Sequence, residues 1–210
     1  VSCAAARSEL GIVRLDQGDV AGAIQQLEIA LQLDPELARA HGNLALALIK
    51  AGRPAEAIAH ARRAVEQEPA SGQIRSILAR AYAAGGRPEL ALQHHEAALA
   101  LAPTNVDVQL AAGEYYEQVG ARPRAIERYQ AALRAHPESV AAHVALGIAY
   151  GQGGELERAI AVLGEAVRLA PADPIVHRNL AQAYHLGGDD GRAYEELRAA
   201  RELEAAAPRP

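Results

Sequence analysis

The residues best suited to chemistry are eight histidines, because an imidazole can ligate a metal or move a proton near neutral pH. His41, His143 and His177 recur at multiples of 34 residues, so each occupies the same place in a repeated unit. Equivalent residues on neighbouring helices lie at least about 10 Å apart, too far to share an ion that needs each ligand at about 2 Å. His94 and His95 are adjacent, and on a helix they point about 100° apart. The histidines therefore read as structural, with no metal site. Gly151, Gly153 and Gly154 lack the lysine of a phosphate loop, and the third glycine of a dinucleotide motif would fall at Leu156. The cluster also follows a helical segment, where both motifs need a strand. None of the five serines stands in a nucleophile-elbow pattern. Glu114 and Glu117, at i and i+3, read as a solvated helix face. No catalytic residue, cofactor or metal is assigned, and the expectation is a protein without enzymatic activity.

The elements that position these residues follow from one spacing. Pro35, Pro69, Pro103, Pro137 and Pro171 are 34 residues apart without insertion or deletion, and Gly18, Gly52, Gly86, Gly120, Gly154 and Gly188 keep the same step. Alanine recurs likewise at Ala23, Ala57, Ala91, Ala125, Ala159 and Ala193, and at Ala30, Ala64, Ala98, Ala132, Ala166 and Ala200. Six units result, 4–37, 38–71, 72–105, 106–139, 140–173 and 174–207, forming a single domain over 1–207 with a tail at 208–210. In each unit, apolar residues at helical spacing run through positions 1–14 to a glycine, which predicts a first helix, A. Pro54 and Pro88 then stand where a second helix, B, can start without losing a hydrogen bond. Small residues at position 8 and alanine at position 20 let A and B approach closely. Larger residues at positions 7 and 11, such as Leu44, Leu48, Leu78 and Tyr82, leave an apolar stripe that only a stacked neighbour can bury.

Composition fits a stack of hairpins: Phe, Trp and Met are absent, and Lys50 is the only lysine beside twenty arginines. A net charge of −5 and a pI near 5.9 speak against a nucleic-acid partner, since no basic stretch alternates with stacking aromatics. No apolar run is long enough to cross a bilayer. One cysteine, Cys3, forms no internal disulfide and is compatible with a reducing, cytoplasmic compartment. The chain opens on Val1 without a methionine, as a segment of a longer protein would. Arg14 at position 11, where later units carry Leu48, Tyr82, Tyr116, Tyr150 and Tyr184, marks the first unit as an end. Arg201 gives the last helix B a more polar outer side, and the stretch from Ala205 to Pro210 reads as a frayed end or a linker.

The motif of Leu146, Gly147, Tyr150, Gly154, Ala159, Leu163, Ala166 and Pro171 resembles a tetratricopeptide repeat. The resemblance covers nearly the whole chain. It implies an all-α fold, an α-solenoid of antiparallel helix hairpins in a right-handed superhelix, with A helices lining the concave side. It also implies that ligand contacts come from A positions 2, 5, 6, 9, 12 and 13. Those positions give a candidate peptide-binding set of Arg39, Asn43, Lys50, Gln73, Arg80, Glu114, Gln118, Arg178, Asn179 and Gln182. Arg39, Lys50 and Arg80 form a basic patch, interrupted by Asp107, Glu114 and Glu117. Ile12, Leu46, Ile77 and Ile148 add apolar contacts. Such a groove suits an extended peptide, with arginines holding carboxylates and asparagines its main chain.

Two uses of the family depart from these residues. The carboxylate clamp of chaperone cofactors is matched by Asn43 alone, against Ser8, Ile12, Gln73 and Ile77. The asparagine ladder of the O-linked sugar transferase is matched only at Asn43 and Asn179. The expectation is a protein-interaction scaffold with a protein or peptide partner and no nucleic acid. An alternative is a substrate-recruiting or regulatory arm of a larger enzyme such as a glycosyltransferase-like protein, and self-association through repeat ends is a third reading.

Overall fold

The computed structural model describes residues 3–206, and every regular element among them is an α-helix. They are α1 (Cys3–Asp16), α2 (Val20–Leu33), α3 (Ala38–Lys50), α4 (Pro54–Gln67), α5 (Gly72–Ala84), α6 (Pro88–Leu101), α7 (Val106–Gln118), α8 (Arg122–Ala135), α9 (Val140–Gln152), α10 (Leu156–Leu169), α11 (Pro174–Leu186) and α12 (Asp190–Ala206). Odd-numbered helices are the A helices and even-numbered ones the B helices, in the 34-residue register of the sequence.

Local chemistry sets the boundaries. The six loop glycines, Gly18 to Gly188, all have positive φ, between 68° and 82°, a left-handed conformation that costs an L-residue about 1–2 kcal/mol. Pro54 and Pro88 open α4 and α6. Side-chain oxygens of Ser71, Asn105, Ser139 and Asp173 accept from the first-turn amides of Ile74, Val108, Ala142 and Ile175, satisfying donors the helix itself leaves open. In five units the helix stops before the proline at position 32. The sixth has Ala205 there, and α12 runs on to Ala206. Ala205 and Ala206 are thus helix rather than tail, and the rest of the expected tail lies outside the described residues.

The described residues divide into two compact units, the first ending at Tyr115 and the second beginning at Tyr116, within α7. In the first, α1 packs on α2, α3 on α4 and α5 on α6, while α2 meets α3, α4 meets α5, and the A helices touch along α1–α3 and α3–α5. The second repeats this order through α8–α9, α9–α10, α10–α11, α11–α12 and α9–α11. Both alanine rows are buried throughout.

In the first and fifth hairpins a glycine at position 8 makes room for a leucine at position 24. A Cβ added at Gly11 would stand 2.6 Å from Leu27 Cγ, and one at Gly147 would stand 2.5 Å from Leu163 Cγ. Where position 24 is the small Ala61, position 8 carries a methyl, Ala45, and both are fully buried. At the last unit Leu197 is 39% exposed, although its counterparts Leu27, Ala61, His95, Tyr129 and Leu163 are all buried. With Tyr194 at 65%, it makes the outer side of α12 mixed, not simply polar as Arg201 alone predicts. Arg14, at the other end, reaches Asp19 at 2.9 Å, an exposed pair covering Gly22.

Candidate functional site: a concavity on the A helices of the first unit

A concavity of about 600 Å³ opens between the A helices of the first unit. Positions 2, 5, 6 and 9 of successive A helices face it, because residues three and four apart share one side of a helix. Its floor is apolar, with Ile12, Leu46, Ile77 and Leu110 half-buried. Gly42 leaves room there, since a Cβ at that position would come within 3.3 Å of Ile77 Cδ1. Asn43 is buried beside them, its amide donating to Ser8 Oγ at 3.2 Å.

Five residues of the sequence-derived set line this cavity: Arg39, Asn43, Gln73, Arg80 and Glu114. Lys50, exposed at the end of α3, is not in the lining, and Gln118, Arg178, Asn179 and Gln182 belong to the second unit. There Arg178 pairs with Glu204, and Asn179 donates to the Ile175 carbonyl of its own helix at 3.0 Å. Gln182 is exposed.

The lining is not the basic patch that Arg39 and Arg80 predict. Glu9, Glu68, Asp107 and Glu114 share it with the two arginines. Arg39 is bound to Glu9 at 3.3 Å, whereas Arg80, Glu68, Asp107 and Glu114 have no ion pair among the described residues. Glu9 was legible from its A-helix position 6. Glu68 was not, because it caps α4 between hairpins, outside the A-helix register.

The three histidines at position 4 have a role in the fold. His41, His143 and His177 use Nε2 to donate to the carbonyls of Pro35, Pro137 and Pro171 at 3.1, 2.8 and 3.0 Å. Gln109 and Arg75 do the same to Pro103 and Pro69, at 2.6 and 2.8 Å. Position 4 is thus a donor site that ties each of the five A helices α3, α5, α7, α9 and α11 to the proline turn before it. With its Nε2–H donating to the Pro35 carbonyl, His41 makes its second hydrogen bond between its Nδ1 and the Nδ1 of His60, 2.9 Å away. Burial, and then the neighbouring His41, hold the His60 pKa below its usual value. At His177, burial opposes protonation, yet the hydrogen bonds it donates, through Nδ1 to the Glu196 carboxylate at 2.6 Å and through Nε2 to the Pro171 carbonyl, raise its pKa. Among the described residues no three His, Cys, Asp or Glu side chains gather as a metal site would require. No helix is long and apolar enough to cross a membrane.

Repeated antiparallel hairpins in fixed register, with a lined cavity on their A helices, define an α-helical repeat protein. The family model for the tetratricopeptide repeat matches residues 8–72, 42–106, 110–174 and 144–209, and the chain belongs to the tetratricopeptide repeat family. Proteins of this family act as protein–protein interaction scaffolds. No curated protein matches the chain. Among solved structures it is similar to TTC0263, a thermophilic tetratricopeptide repeat protein of Thermus thermophilus, with a TM-score of 0.79, 24% identity, and 87% of this chain and 100% of that one covered. It is also similar to the APC/C hetero-tetramer Cut9–Hcn1, at 0.75, 20%, 97% and 41%. A third is the human IFIT1 dimer with PPP-AAAA, at 0.76, 23%, 99% and 51%. At these identities the likeness is one of fold. The chain spans less than two thirds of the length of the Cut9–Hcn1 and IFIT1 chains.

Proposed function

We propose that this protein is a non-enzymatic scaffold that holds an extended segment of a partner protein against the A helices of its first unit. The observation that carries this reading is the concavity, in which an apolar floor lies under separate charged groups of both signs. Binding sites generally combine apolar burial with a few polar groups that fix orientation. Four carboxylates against two guanidiniums favour a protein segment over a nucleic acid, whose phosphates would meet like charge. The unbroken register supports reading residues 1–207 as one array of six repeats.

The test is capture of partners from the source lysate by the wild-type chain and by a Leu46→Asp/Ile77→Asp variant of matched helicity. Two carboxylates on the cavity floor should cost the specific partner at least about tenfold in recovery, because an apolar contact would then desolvate a charge. Equal recovery by both would move the binding surface elsewhere.

A further inference from the structure

We infer that the concavity selects partner segments in which lysine or arginine is interspersed among apolar side chains, a specificity that rests on the binding reading above. The sequence alone points the other way, toward arginines that hold a ligand's carboxylates. In the fold, Arg39 is taken by Glu9 at 3.3 Å, and Arg80 is the one guanidinium of the lining left without an ion pair among the described residues. Against it stand Glu68, Asp107 and Glu114, three carboxylates equally without ion pairs. Asp107 and Glu114 are seven residues apart on α7, which sets them on one face about 10 Å apart along the axis. Two cationic side chains on one extended segment span such a distance, since each residue advances about 3.3 Å. Ile12, Leu46, Ile77 and Leu110 in the same lining receive the apolar side chains, and Arg80 remains free to meet a main-chain carbonyl of the segment. Charge complementarity therefore names the occupant as a cationic, apolar stretch of a partner protein.

Three fluorescent ten-residue peptides test this: one frame of four leucines in a glycine–serine background, carrying two lysines, two glutamates or two glutamines at the same sites. The wild-type chain should bind the lysine peptide about tenfold tighter than the glutamate peptide, as exposed ion pairs replace like-charge contacts. An Asp107→Asn/Glu114→Gln variant should bind both alike, and an oligoadenylate RNA should not compete. Tighter binding of the glutamate peptide, a lysine preference that survives in the variant, or displacement by the RNA would each overturn the inference. Failure to bind any of the three also overturns it. If capture by the wild-type chain still depends on Leu46 and Ile77, the scaffold reading stands without this specificity; if that dependence is lost too, both fall.

Discussion

His95 is fully buried, and neither of its ring nitrogens has a hydrogen-bond partner. Its ring stacks on Tyr115 with centroids 4.9 Å apart, while His94 stacks on Tyr82 at 5.3 Å. Burial, reinforced by the Arg80 and His94 charges, lowers the His95 pKa to about 4. The unfolded chain takes up this proton near pH 6.5 and the native one only near 4, so stability is complete above 6.5 and falls as pH drops through that window. The full loss is about 3 kcal/mol, from 1.36 kcal/mol per pH unit. Burial lowers the pKa of His94 and of His60 as well, in the same direction. His177 works the opposite way: its raised value adds stability below 6.5 that is lost as pH rises through the folded pKa. Urea unfolding of the wild type and of His95→Leu at pH 7 and pH 4.5 isolates the His95 share. The variant should lose about 2 kcal/mol less than the wild type between the two pH values; equal slopes would mean that the imidazole is protonated inside the fold.

At the scale of the helix pair, the match between positions 8 and 24 makes a prediction that one substitution cannot supply. Gly147→Ala forces Leu163 to move, since the new Cβ would lie 2.5 Å from its Cγ, and should destabilise by about 1–3 kcal/mol in thermal or urea unfolding. In a Leu163→Ala background the same change should cost about 0.5 kcal/mol or less, because Ala45 and Ala61 already form such a pair. Additive effects in the double-mutant cycle would show that the two residues do not press on each other. Much of this scale was legible in the residues. The glycines, prolines and alanines that set helix ends and hairpin closure are determined locally, so their spacing alone located the helices α1 to α12. The end of α12 was not, because its rule is the absence of a proline at Ala205. Nor was the role of position 4, where His, Gln and Arg look chemically unrelated until each is seen donating to a proline carbonyl.

At the scale of the whole molecule the candidate site was only half legible. The A-helix positions that the family resemblance implies for ligand contacts led to Arg39, Asn43, Gln73, Arg80 and Glu114, which the fold brings to one cavity, because residues three and four apart share one side of a helix. Charge balance escaped them: Glu68 enters from a turn, and Arg39 is neutralised by Glu9 from the preceding repeat. Both depend on packing between hairpins. The central claim, that a partner segment lies on the A helices of the first unit, is tested most directly by amide hydrogen exchange of the full chain with and without its captured partner. Slower exchange should concentrate in α3, α5 and the first turns of α7, leaving the B helices α4 and α6 unchanged. Protection confined to the B helices, or to α9–α12, would contradict the account.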